Sequence, residues 1–274
     1  MEPKRNVISF INMKGGVGKT TLCVSVGEYL AHYKDKRILF VDLDPQFNLT
    51  QSIMDLYDRA EDYLEHYTER NNIKTLLEDK TSISEQPSLP KKEDIILSMD
   101  ENIDIIPGTI NLIMEDNDTK GSKARRLRKF IRNNELKVEY DFILIDCPPT
   151  ISLYTDTALN ASDYYLVPNK IDRYSTLGIK TLKKVIGRLK FDNDIDINPL
   201  GIVYTMVGEE TKKTREIKEK FEYCDFVDEI GLFRSKTRLV KDLRVGYQGN
   251  IASKYKNSRE DIEKVCEELI ERIG

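Results

Sequence analysis

The 274-residue chain has no apolar run approaching the roughly 18 residues that a membrane-spanning helix needs, so a transmembrane protein is not expected. A signal-peptide core is missing too: the first apolar stretch, Val7 to Ile11, is short and leads straight into glycines. Histidine is scarce, with two in the chain, and the four cysteines (Cys23, Cys147, Cys224, Cys266) are widely spaced with no CxxC pair. A zinc or iron–sulfur centre built within one chain is therefore not expected, and reduced, buried thiols in a cytoplasmic protein are. Excess positive charge is also lacking. A formal net charge of −4 argues against wholesale coating of nucleic acid, although a local basic face can hide in that sum.

Hydrophobic residues make up 39% and charged residues 33%, which suits a globular chain with a heavily charged surface and enough length for one large α/β domain. Short apolar runs alternate with amphipathic stretches. The runs Val7–Asn12, Arg37–Asp42, Ile103–Pro107, Phe142–Asp146, Tyr164–Pro168 and Leu200–Thr205 predict strands. Helices are predicted over Thr20–Tyr33, Lys123–Asn133, Ser175–Leu189, Thr211–Phe221, Thr237–Gly246 and Ser258–Ile273. Near-continuous apolar strands separated by helices predict a mostly parallel twisted sheet with helices on both faces. Residues 50–98 fit the alternation poorly; Tyr, Glu, Asp and Arg are dense there, and Ser82–Lys92 reads as a polar loop holding Pro87 and Pro90. They are expected to form a mainly helical insertion in a single domain rather than a second one.

The sharpest signal is Asn12-Met13-Lys14-Gly15-Gly16-Val17-Gly18-Lys19-Thr20-Thr21, which follows an apolar strand and opens a predicted helix. Glycines without Cβ let the chain wrap closely around a polyphosphate, with backbone N–H groups and the helix N-terminus facing its oxygens. Lys19 supplies positive charge to the β- and γ-phosphates, the Thr20 hydroxyl can ligate Mg²⁺, and Thr21 can reach an α-phosphate oxygen. The common GxxxxGK[ST] form has glycine where Met13 stands; here a lysine, Lys14, comes immediately before the paired glycines.

This loop resembles the deviant Walker A motif KGGxGK[ST] of the ParA/Soj/MinD family of P-loop ATPases. The resemblance implies a Mg²⁺-dependent ATPase in which Lys14 crosses the interface of an ATP-dependent homodimer and contacts the partner's nucleotide. Positioned positive charge on developing negative charge is what phosphoryl transfer needs. Val41-Asp42-Leu43-Asp44-Pro45-Gln46 matches the family's VDLDPQ, and carboxylates at the end of a buried parallel strand lie where such sheets bind ligands. By that resemblance Asp42 holds Mg²⁺ directly or through water, and Asp44 positions the attacking water. Phe142–Asp146 followed by Cys147-Pro148-Pro149 resembles the Walker B arrangement, which implies that Asp146 belongs to the Mg²⁺ shell. Ile106-Pro107-Gly108, Tyr164–Pro168 and Gly201–Met206 extend the likeness over nearly the whole chain.

Three basic clusters bear on output. Lys120–Arg132 reads as a solvated helix face. Lys212, Lys213 and Arg215 open a helix, and Arg234, Lys236, Arg238, Lys241 and Arg244 form the third, where Leu232–Leu239 resembles the family's IPRNVRL. In Soj-like partition ATPases, arginines in segments matching these last two clusters carry nonspecific DNA binding, so Lys212, Lys213, Arg234, Lys236, Arg238 and Lys241 are the expected DNA contacts. Glu209-Glu210 departs from the arginine that relatives often carry there. The resemblance also implies a ParB-like centromere-binding partner with a basic tail that stimulates hydrolysis, and nucleoid association when ATP is bound. With the P-loop strand beginning at residue 7, an added N-terminal operator-reading domain is not expected. Against a MinD-like positioning ATPase on a membrane, the C-terminal stripe from Ser258 to Ile273 is flanked mainly by glutamate, where anionic lipid favours lysine and arginine. A metabolic ligase or a nitrogenase-type reductase is a third reading; the reductase needs paired cluster cysteines, and only Cys147 lies near a nucleotide motif.

Overall fold

The computed structural model describes residues 5–78, 88–115, 121–245 and 251–274. Eight strands form one sheet: β1 (Val7–Phe10), β2 (Ile38–Asp42), β3 (Leu97–Ser98), β4 (Ile103–Ile106), β5 (Phe142–Asp146), β6 (Tyr164–Asn169), β7 (Asn198–Val207) and β8 (Leu232–Arg238). Their spatial order is β3-β4-β2-β5-β1-β6-β7-β8, and every pairing is parallel except that of the short edge strand β3 with β4. Around the sheet lie α1 (Lys19–Lys34), α2 (Asn48–Leu56), α3 (Ala60–His66), α4 (Ile73–Leu77), α5 (Lys92–Ile95), α6 (Arg126–Asn133), α7 (Leu136–Glu139), α8 (Leu153–Ala161), α9 (Ser175–Asn193), α10 (Lys212–Glu222), α11 (Asp225–Ile230), α12 (Lys241–Val245) and α13 (Lys256–Ile273).

The strands are apolar at successive positions because both faces of the sheet are covered, and the period of two divides their side chains between two cores. Val7, Leu39, Val41, Ile143 and Ile145 pack on one face with Ile179, Leu182 and Leu189 of α9. Ile8, Phe10, Ile38, Phe40 and Leu144 pack on the other with Leu22, Val26 and Leu30 of α1 and Val265 and Leu269 of α13. Each fully buried side chain of this size contributes about 1.5–3 kcal/mol. Gly27 marks how tightly α1 lies on the sheet: a Cβ there would stand 2.9 Å from Leu144 Cδ1 and closer still to the Phe40 ring.

β1 is central, flanked by β5 and β6, so the loops that leave the carboxyl ends of β1, β2 and β5 converge on one rim, where ligands of open α/β sheets bind. Residues 50–98 hold most of α2, then α3, α4, α5 and β3, while the polar loop expected over Ser82–Lys92 falls partly outside the described residues.

One prediction needs correction. The helix expected over Thr237–Gly246 is instead the end of β8 followed by the shorter α12, and Gly246 lies outside the described residues. β8 buries Phe233 and then alternates polar residues outward, so its sequence lacks the apolar run that marked the other strands. Its free edge is covered by α13: Glu268 accepts the Arg234 and Ser235 backbone N–H groups, each at 2.9 Å, and Asp261 accepts that of Arg238 at 2.8 Å. α8 and α11, both short, were not foreseen either.

Candidate functional site

The loop between β1 and α1 forms an open cradle. Gly16 (φ 69°) and Gly18 (φ 82°) adopt left-handed conformations, and a Cβ added at Gly15 or Gly16 would meet no atom within 4 Å. Gly18 caps α1 with no side-chain hydrogen bond, leaving the first N–H groups of a sixteen-residue helix facing that space. From β7, Thr205 Oγ1 donates to the Val17 carbonyl at 2.7 Å and pins the loop. The buried Lys19 folds back into the cradle, with Nζ 3.5 Å from the Lys14 carbonyl. These features fit a polyphosphate.

Beside the cradle, Thr20 Oγ1 donates to Asp146 Oδ2 at 2.6 Å, while Asp146 Oδ1 is buried with no hydrogen-bond partner among the described residues. Asp146 and Asp42 are register neighbours on β5 and β2, both fully buried. Burial and the charge of Asp42 push the Asp146 carboxyl well above the usual carboxylate range. Burial likewise raises Asp42, to about 7, against the hydrogen bonds it accepts. Two adjacent buried carboxylates, one with an orphaned oxygen beside a threonine hydroxyl, are stabilised by a cation. Among the described residues no group of three or more histidine, cysteine or carboxylate side chains could hold a metal alone, so a cation here takes its other ligands from nucleotide and water.

Asp42 is occupied in a way its sequence position did not reveal. Oδ2 accepts Thr50 Oγ1 (2.7 Å) and Thr50 N–H (2.9 Å), Oδ1 accepts the Asp44 N–H (3.1 Å), and a Cβ on Gly108 would stand 2.9 Å from its Cγ. The carboxylate ties α2 and the loop after β4 to the end of β2. Asp44, two residues beyond the end of β2, is buried too; its Oδ1 accepts the Gln46 N–H at 2.9 Å. Cys147 is buried, and burial pushes its thiol up, which removes it as a nucleophile.

Lys14 leaves its own cradle. Its ammonium is held by Asp172 in the turn before α9, in an ion pair whose side chains are 23% and 34% exposed. Partial burial raises Asp172, but Lys14 and the Tyr174 N–H outweigh it and hold the carboxyl below its usual range. The start of α9 sits directly on the Lys14 loop: a Cβ on Gly178 would stand 3.3 Å from Lys14 Cβ. Asp172 and Gly178 were missed; the signal available was Asp172-Arg173-Tyr174-Ser175, an aspartate and a serine opening a helix after a strand.

The structure thus gathers Lys14, Gly15, Gly16, Val17, Gly18, Lys19, Thr20, Thr21, Asp42, Asp44 and Asp146 on one rim. The expected DNA contacts are not gathered so. Arg238 is held by Asp261 in a two-pronged pair (2.9 and 2.8 Å), and Arg234 pairs with Glu271 and lies 3.7 Å from Glu268. Lys236 and Lys241 are exposed, with no ion pair among the described residues. Lys212 and Lys213 are exposed in the first turn of α10, where the helix dipole disfavours cations. Of the Lys120–Arg132 cluster, Lys120 lies outside the described residues. Arg126 is buried, its Nε donating to the Leu76 carbonyl at 2.5 Å, which makes that residue structural.

A family model described as an AAA domain matches residues 5–198. The chain is 32% identical to the sporulation initiation inhibitor protein Soj of Bacillus subtilis over 78% of each chain. It is 30% identical to the chromosome partitioning protein ParA of Myxococcus xanthus over 78% of this chain and 69% of that one. The structure of a plasmid partition protein from Borrelia burgdorferi superposes with a TM-score of 0.73 at 20% identity, over 98% of this chain and 99% of that chain, a likeness of fold.

Proposed function

The chain belongs to the ParA/Soj/MinD family of P-loop ATPases, and from that membership we propose that it is a partition ATPase working as a nucleotide-sandwich dimer. In this reading two copies close face to face on ATP, the dimer holds DNA without regard to sequence, and a ParB-like partner triggers hydrolysis and release. The observation that carries the proposal is the division of labour between two lysines five positions apart. Lys19 is folded into its own cradle, whereas Lys14 is held outside it by Asp172.

Lys19 and the N–H groups of Gly15 to Thr21 bind the triphosphate, and Thr20 with Asp146 holds Mg²⁺. When bound, Mg²⁺ supplies charge that neutralises the β- and γ-phosphate oxygens. Asp42 is a positioning residue, since Thr50 and the Asp44 backbone occupy its oxygens. Asp44, with one oxygen tied to the Gln46 N–H, orients the attacking water through the other. Lys14, released from Asp172, reaches the partner's nucleotide, so hydrolysis requires pairing. On the surface, Lys212, Lys213, Lys236 and Lys241 are the proposed DNA contacts, and Arg234 and Arg238 must first exchange their carboxylate partners.

The test is DNA binding with ADP, ATP and a nonhydrolysable analogue over a range of salt. The proposal expects binding with ATP or the analogue alone, with log affinity falling steeply against log salt. Equal binding with ADP contradicts it. A membrane-cycling variant has less behind it: the exposed charged positions of α13 are Glu260, Glu267 and Glu271 against Lys256 and Lys264, with no excess of cations, and no described helix is long and apolar enough to cross a bilayer.

A further inference from the structure

From Arg173 to Phe191 the chain carries six cations and no acid, in a molecule whose net charge is −4. α9 turns Ile179, Leu182, Val185 and Leu189 into the core, so most of this charge faces outward. Two of the cations are neutralised within the fold: Arg188 by Asp156 of α8 (2.6 and 2.8 Å) and Lys183 by Glu229 of α11 (2.5 Å). Lys180 and Lys184, one helical turn apart, are exposed and have no ion pair among the described residues. They line one wall of an open cleft of about 640 Å³, whose other wall is Tyr223, Cys224 and Phe226 at the α10–α11 corner. Tyr223 is 88% exposed, and the same outer side of α9 carries Leu177 (66%) towards one end and Phe191 (91%) towards the other.

We propose that this cleft is a docking site for an acidic segment of a partner protein that carries apolar anchors. Lysines flanked by exposed aromatic and aliphatic side chains ask for carboxylates alternating with apolar groups, the anatomy of a protein interface with buried anchors and a charged rim. Duplex DNA satisfies the lysines alone. It leaves Leu177, Tyr223 and Phe191 against a sugar–phosphate surface, and a concavity of this size receives a few side chains rather than a double helix. A Lys/Arg-rich tail is repelled by Lys180 and Lys184. The two carboxylates of the cleft do not reverse this preference: Glu229 is already matched by Lys183, and Asp225 stands in the first turn of α11, where the helix dipole favours negative charge. The start of α9 rests on the Lys14 loop at Gly178, but the cleft is lined by Lys180, Lys183 and Lys184 farther along the helix. Binding there requires neither ATP nor a second copy of the chain, so a test without nucleotide separates it from the proposed partition activity.

The test uses the full chain without nucleotide. Fluorescent synthetic helical peptides are titrated in three forms: glutamates at one-turn spacing with leucine and phenylalanine anchors at varied spacing, the same with lysine for glutamate, and the same with serine for the anchors. A short DNA duplex serves as competitor. Anisotropy gives affinity, and amide chemical-shift changes give location. The anchored acidic peptides are expected to bind and to shift residues of α9 and α11. Affinity should fall about tenfold or more in the Lys180→Glu/Lys184→Glu double variant, and about fivefold or more in Tyr223→Ser, with unchanged circular dichroism and melting. The proposal is overturned if no acidic peptide of the panel shifts α9–α11, or if the lysine peptides bind as well. Displacement by duplex DNA that depends on Lys180 and Lys184 would assign the surface to nucleic acid instead. Self-association abolished by the double variant would assign it to a second copy.

Discussion

Replacing Asp172 by asparagine should tighten the ATP-dependent dimer. The carboxylate holds Lys14 in cis, and a lysine that must reach a partner's nucleotide has to leave it first. Asparagine keeps a side-chain oxygen to accept the Tyr174 N–H, which Asp172 Oδ1 accepts at 2.8 Å, so the turn into α9 is preserved while the charge is lost. With side chains 23% and 34% exposed, the pair is only partly hydrated, which places it in the upper part of the range for solvent-accessible pairs, about 0.5–1 kcal/mol. Closing one dimer breaks two of them, about 1–2 kcal/mol together, which corresponds to roughly a 5- to 30-fold fall in the dimer Kd. The assay is sedimentation equilibrium with saturating ATP on an Asp44→Ala background, where hydrolysis cannot drain the dimer. The gain should shrink as salt is raised, because the pair it removes is screened. An Asp172→Asn dimer that is no tighter than its parent, or is weaker, refutes the idea that Asp172 holds the lysine back.

Lys19→Ala should abolish detectable ATP binding by calorimetry, since it removes the cation folded against the loop's own backbone; retained affinity would contradict its role. Asp44→Ala should bind ATP, fail to turn over, and remain on DNA, read as phosphate release alongside gel shift. Gly27→Ala should destabilise by about 1–3 kcal/mol in urea melts, because its methyl has to displace the Phe40 ring and Leu144. The pH dependence of stability follows from His32, whose ring bridges Glu28 Oε1 (3.1 Å) and Asp100 Oδ2 (2.9 Å). The hydrogen bond to Glu28 raises the His32 pKa, burial opposes, and Asp100 raises it further. Its stabilisation is therefore complete below about pH 6.5 and fades as pH rises through the higher folded value. Burial pushes Glu28 up, but His32 and Lys254 outweigh it and bring the carboxyl to about 2. That contribution persists through neutrality and is lost only in acid, between about pH 4.3 and the folded value. Wild type should thus lose melting temperature relative to His32→Gln between about pH 6 and about pH 9, and a constant difference would count against the bridge.

The central strands and the phosphate loop were legible because they are local: an apolar run buried on both faces, or three glycines and two lysines within a few positions, states its own geometry. What stayed hidden depends on residues distant in sequence. β8 has one buried apolar side chain, Phe233, and becomes a strand because β7 pairs with it and acids of α13 cover its edge. Arg234 and Arg238 read as free charge until Glu271 and Asp261, 37 and 23 residues away, are folded against them. Asp42 was placed at the right rim, yet its engagement with Thr50 could not be read from a strand ending in aspartate. Asp172 escaped for the same reason, being 158 residues from the lysine it holds.

The central claim is that Lys14 acts on the neighbouring copy. Loaded with a nonhydrolysable ATP analogue, the wild-type chain should sediment at twice its 31.8 kDa monomer mass, whereas Lys14→Ala should bind the analogue and remain at the monomer mass. A Lys14→Ala dimer as strong as wild type would contradict the account.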